Sequence, residues 1–134
     1  LSFEKKKKSF KEIINMQRKK TGKLFKFCCL SAGIVSNKNT RVKKELGLLG
    51  EEIGLLFQLA DDFIDITSST KLAGKTINKD KNKGKSTILG LIGYKKAYNF
   101  SKKLKKNILK KLSKYGRKAN DLINTVEFIL GRNF

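Results

Sequence analysis

Between positions 45 and 70 the chain carries no lysine or arginine, although its 134 residues include 32 basic and only 11 acidic ones. Six of those acids fall inside the window: Glu45, Glu51, Glu52, Asp61, Asp62 and Asp65. Apolar residues fill the rest at spacings of three and four, with Ile53, Leu55, Leu56, Phe57, Leu59, Phe63, Ile64 and Ile66 covering most directions around a helix axis. The pattern predicts one long helix over 40–67. A segment that excludes lysine in a chain of net charge +21 is expected to be the central element, packed on most sides.

At about 100° per residue, Gly47, Gly50, Gly54, Gln58, Asp61 and Asp65 share an arc of about 80°. Glycines at one end of this stripe allow close approach by another element. Polar groups occupy the other end. Asp61 and Asp65 stand at i and i+4, so their carboxylates project side by side, while Asp62 lies about 100° round and supports them from the flank.

The remaining chain also reads as helix. Proline and tryptophan are absent, leucine, lysine and isoleucine abound, and strand signals are weak. A basic helical stretch over 3–19 has Phe3, Phe10, Ile13 and Ile14 as its apolar side. A second helix, about 21–35, carries Leu24, Phe25, Phe27, Cys28 and Leu30 around much of its circumference. "SNKNT" forms a polar turn, with Asn39 or Thr40 placed to cap the long helix. The stretch 68–85 is rich in Gly, Lys and Asn and reads as a long loop of functional length. One helix is then expected from Ser86 and Thr87 to about position 115, with Ala97, Leu104, Ile108 and Leu112 on one side and Gly116 ending it. A last helix over 119–130 carries Leu122, Ile123, Val126, Ile129 and Leu130. The fold class is all-α, in one domain, with 39% hydrophobic residues sufficient for a core.

The positive charge first suggests nucleic acid or an anionic membrane surface. Only Arg18, Arg41, Arg117 and Arg132 among the basic residues are arginine, however, the residue that dominates bidentate phosphate and base contacts. Lysine-rich helix faces in solvent explain the charge better than a nucleic-acid partner does. The apolar run from Ile53 is interrupted by Gln58 and the aspartates before it could cross a bilayer, so no stable membrane insertion is expected. Adjacent Cys28 and Cys29 are too close for the usual disulfide and read as free thiols of a reducing cytoplasm. With no histidine, zinc spacing cannot arise. The first residues contain neither an initiator Met nor a signal-peptide core, so the beginning of a longer protein is expected to be missing.

Carboxylates grouped in apolar surroundings need a cation, because desolvation and mutual repulsion both act against them. Lysines from other elements or a divalent metal would answer. Oxygen-only ligands, few in number, suit Mg2+, which keeps waters and joins carboxylates to substrate phosphates. Lys20 and Thr21 at a helix junction, Lys75 in "AGK" and Lys85 in "GKST" are placed to hold such phosphates. "GKST" is not a P-loop end, since Lys79 stands where that motif requires glycine.

The order "KTG" (20–22), "GLLFQLADDFID" (54–65), "AGKTINKD" (73–80) and "GKST" (84–87), closing with "RNF", resembles the C-terminal half of trans-isoprenyl diphosphate synthases of the bacterial farnesyl and geranylgeranyl type. The resemblance implies the C-terminal portion of an isoprenoid synthase-type helical bundle around a central cavity, acting on an allylic diphosphate and isopentenyl diphosphate, as a homodimer when full length. It implies three Mg2+ ions in the complete site, with Asp61 a direct ligand and Asp62 and Asp65 acting through the ion or its waters. Lys20, Lys75 and Lys85 would hold the allylic diphosphate, Lys20 and Lys75 being the catalytic cations, with Thr21 and Gln58 lining the site. Phe25 and Phe57 would line an apolar cavity that protects the allylic cation. The family's first aspartate-rich motif has no counterpart in residues 1–19, so this chain carries half a site and alone is expected to be inactive. A non-catalytic subunit of a heteromeric prenyl synthase is the alternative, which the retained Gln58, Asp61, Asp62, Lys20 and Lys75 argue against.

Overall fold

The computed structural model describes residues 9–73 and 87–132. Helix α1, Phe10–Gln17, begins in a capping box, Ser9 and Glu12 each satisfying the other's backbone N–H. A single π-helical stretch, Arg18–Gly22, joins it without a break to α2, Lys23–Val35. Helix α3 spans Thr40–Ala73, then come α4, Ile88–Ile92, α5, Tyr94–Leu112, a 3-10 stretch Ser113–Ala119, and α6, Asn120–Gly131. No strand occurs among the described residues.

Helices α2 and α3 form a hairpin whose turn follows from its sequence. Asn37 adopts φ 47°, a left-handed conformation that asparagine tolerates. The amides of Asn37 and Lys38 donate to the carbonyls of Ile34 and Gly33, both at 2.9 Å, which closes the end of α2 in a Schellman arrangement. Asn39 caps α3, its Oδ1 accepting from the Val42 amide at 2.9 Å.

Two glycines set how closely the hairpin packs. A Cβ on Gly50 would stand 2.4 Å from the Phe25 carbonyl oxygen, and one on Gly54 would stand 2.8 Å from Gly22 Cα. At Gly47 an added Cβ would meet only the Lys26 side chain, at 3.5 Å. The close approach expected at the glycine end of the stripe is therefore made by α2 and the π-helical stretch.

Helix α3 is the centre of the molecule. Leu49, Ile53, Leu56 and Ala60 pack with Ile108, Leu112, Ala119, Val126 and Ile129 on one side. Leu55, Leu59 and Phe63 pack with Ile13, Ile88, Leu89 and Ala97 on another. Cations for its acids come largely from other elements: Lys23 and Lys26 meet Glu51 at 3.2 and 3.0 Å, and Lys111 meets Glu52. Burial pushes the Glu51 carboxyl up, but the hydrogen bonds and charges of Lys26 and Lys23 outweigh it and hold Glu51 below the usual carboxylate range. Outward, α2 leaves Leu24, Phe27, Ile34 and Val35 exposed.

Three boundaries differ from the sequence reading. The helix expected from position 86 to 115 is two helices, broken at Gly93 with φ 82°, a conformation glycine adopts without steric cost. It ends at Leu112, before Gly116, which sits at φ 56° within the 3-10 stretch. Helix α3 runs on to Ala73, through the first residues of the expected loop. The expected continuation of the first helix into positions 3–8, Lys75, Lys85 and most of the loop lie outside the described residues.

Candidate functional site

The polar end of the stripe is tied to the π-helical stretch by a chain of side chains. Thr21 Oγ1 donates to Gln58 Oε1 at 3.0 Å, and Gln58 Nε2 lies 3.4 Å from Asp62 Oδ1. Thr21 lies within the π-helical stretch and meets Gln58 across 37 positions of sequence. Lys20, next to Thr21, is exposed on the same stretch. Gly22 and Gly54, meeting backbone to backbone one turn below, fix the distance between the two elements.

The three aspartates have separate surroundings. Asp62 is buried, at 9% exposure, and belongs to the Thr21–Gln58 network. Asp61 is half-exposed and Asp65 exposed. Phe57 and Phe25 touch beside them, with ring centroids 5.6 Å apart. The structure thus brings Thr21, Gln58 and Asp62 together, while Asp61 meets Arg132.

Arg132, which the sequence marks only as part of the closing "RNF" and to which it assigns no role, also reaches the site. Leaving the end of α6, its Nη2 lies 3.5 Å from Asp61 Oδ1 and its guanidinium stands 5.1 Å from the centre of the Phe57 ring. Its Nε donates to the Ile129 carbonyl at 3.3 Å. Its signals in the sequence were its place in the closing "RNF" and its rarity, an arginine in a lysine-rich chain just after an apolar helix.

Asp61 and Asp65, one turn apart and open to solvent, are hard oxygen donors of the kind that suit Mg2+. Among the described residues no three acidic, Cys or His side chains converge on one point. Mg2+ at phosphate sites commonly keeps waters and binds through one or two carboxylates plus ligand oxygens, a donor set that Asp61 and Asp65 could join. The lysines of α5 behave differently: Lys96, Lys102, Lys103 and Lys106 line a shallow exposed groove with Phe100, away from the stripe. Among the described residues, no helix is long and apolar enough to cross a membrane. Cys28 and Cys29 are both free thiols, and burial followed by the neighbouring Cys28 pushes the Cys29 thiol up.

A central helix that packs through glycines and presents glutamine and aspartates at a helix junction defines an all-helical protein with an acid-faced site. The chain belongs to the polyprenyl synthetase family, whose model, described as Polyprenyl synthetase, matches residues 1–126. It is similar to a farnesyl diphosphate synthase of Micrococcus luteus, 38% identical over 61% of this chain and 28% of the relative. It is also similar to a dimethylallyltranstransferase of Fischerella ambigua, 31% identical over 84% of this chain and 33% of the relative. Geranylgeranyl pyrophosphate synthase 4 of Arabidopsis thaliana is 34% identical over 85% of this chain and 31% of the relative. The chain thus spans a third or less of the length of these curated relatives.

Proposed function

We propose that this chain forms the second half of the active site of a Mg2+-dependent prenyltransferase. The enzyme condenses an allylic diphosphate with isopentenyl diphosphate to give a short isoprenyl diphosphate of farnesyl or geranylgeranyl type. The observation that carries the reading is the Thr21–Gln58–Asp62 network with Asp61 open beside it, in a chain of this family. Residues 1–134 form one partial domain of that enzyme. The exposed Leu24, Phe27, Ile34 and Val35 suit burial under the rest of the longer protein.

Asp61, with Asp62 and Asp65 in support, holds the metal, which when bound supplies positive charge to the leaving diphosphate. Lys20 binds diphosphate oxygens from the helix junction, with Lys75 and Lys85 from the segment that follows α3. Thr21 and Gln58 hold the junction in register so that ammonium and carboxylates face one ligand. Their pre-set positions let the charges stabilise the departing group without reorganising. Phe57 and Phe25 keep water from the allylic cation and offer it their ring faces. The double bond of isopentenyl diphosphate then attacks the cation and a proton leaves.

The protein works in the cytoplasm, as a homodimer, on soluble diphosphates. A heteromeric assembly is the second reading, favoured by one similar protein, a heterodimeric geranylgeranyl pyrophosphate synthase large subunit of Arabidopsis thaliana, 33% identical over 85% of this chain. Full-length protein supplied with labelled isopentenyl diphosphate, an allylic diphosphate and Mg2+ tests the proposal. A labelled prenyl diphosphate that disappears with chelator is expected; folded full-length protein that yields none, alone or with a partner subunit, would overturn it.

A further inference from the structure

Asp61 already has a cation in this structure, and that cation belongs to the protein. We infer that Arg132 is a built-in competitor for the metal position, holding Asp61 when the divalent ion is absent and yielding it when the ion binds. The inference rests on the reading of Asp61 as a metal ligand.

Three contacts place the guanidinium. It stands over Phe57, one helical turn before Asp61; it is anchored through Nε to the Ile129 carbonyl at the end of α6; and it reaches Asp61 Oδ1 at 3.5 Å. The first two contacts do not involve the carboxylate, so Arg132 can release Asp61 and remain nearby. A separation of 3.5 Å is long for a charge-assisted hydrogen bond, and both side chains retain access to water, 25% for Arg132 and 40% for Asp61. The pair is therefore weak and exchangeable. Asp62, by contrast, is buried in the Gln58 network.

A carboxylate shared between a guanidinium and a divalent cation serves each less well, and two positive groups repel at close range. Binding of the ion at Asp61 thus releases Arg132 from the carboxylate while its contacts with Phe57 and the Ile129 carbonyl keep it nearby. The converse holds by linkage: removing Arg132 tightens metal binding by whatever the pair contributes.

Mn2+ titration of the full-length protein, following free Mn2+ by electron paramagnetic resonance, reads this without relying on turnover. For Arg132→Gln, binding about three- to fivefold tighter than in the unsubstituted protein is expected, the range for a partly exposed pair. Arg132→Lys, which keeps the charge, remains near the starting affinity and guards against loss of folding in the first variant. Lys23→Gln, removing a lysine committed to Glu51, leaves the affinity unchanged. Equal affinities for Arg132→Gln and the unsubstituted protein would overturn the inference, as would an equal gain from Lys23→Gln, which would mark a general charge effect. If Asp61→Asn binds Mn2+ as well as the unsubstituted protein does, the assignment of the metal ligand fails and the inference with it. Loss of binding in Asp61→Asn with no gain in Arg132→Gln overturns the inference alone.

Discussion

The two ends of one stripe on α3 do opposite things with the same geometry. Gly47, Gly50 and Gly54 present backbone, and at Gly50 and Gly54 another backbone occupies the place a side chain would take. Gln58, Asp61 and Asp65, on the same arc, present polar side chains toward a helix junction and solvent. The contrast teaches that the first end positions the second. The contact of Gly54 with Gly22 fixes the junction one residue from Thr21, and Thr21 reaches Gln58 from there. Stability should therefore concentrate at the glycine end and chemistry at the acidic end.

The largest effect on stability is expected within the glycine end itself. Gly50→Ala forces a methyl group against the Phe25 carbonyl, a backbone atom that cannot swing aside, and should cost about 2–3 kcal/mol or more. Gly47→Ala, with ordinary clearance, should instead gain about 0.5 kcal/mol by removing a helical glycine. Thermal melts of the two variants check this pair. Equal shifts of the same sign would mean that helix propensity, not close approach, explains the glycines.

Gln58→Ala probes the boundary between the ends. The part-buried Thr21 hydroxyl and Asp62 lose their shared partner, so a loss of about 1–2 kcal/mol is expected in urea unfolding. Thr21→Ala in the Gln58→Ala background should add little, because the interaction is already gone. Full additivity would separate the two residues and dissolve the link between junction and stripe.

Much of α3 was legible because its signals are local. Exclusion of lysine from 45–70, apolar residues on most faces and a glycine stripe require nothing beyond helical periodicity, and the helix is central as they imply. Its extension to Ala73 was not legible, because residues after Thr67 carry neither a breaker nor an apolar period. The break at Gly93 was hidden for a related reason: the apolar spacing continues across it, and one glycine can be either a helical residue or a φ 82° hinge. The π-helical stretch is built from residues that suit an α-helix equally well.

The counter-ions were the least legible part. The positive groups absent from 45–70 were assigned in the sequence to lysines elsewhere or to a metal, and the structure supplies Lys23, Lys26 and Lys111 for the glutamates. Arg132 lies 71 positions from Asp61, and no periodic signal links the two. Such pairings are decided by how α6 returns along α3, which is a property of packing.

The division of the stripe is tested most directly by Asp61→Asn in the full-length protein, measured for melting and for condensation together. Asp61 forms only a partly exposed ion pair, so the melting midpoint should stay within about 3 °C. If Asp61 helps organise the leaving diphosphate as proposed, its loss should lower the condensation rate about a hundredfold or more. A variant that melts as expected and keeps its rate would contradict the assignment of Asp61 to the chemistry, and one that unfolds would contradict the separation of the two ends.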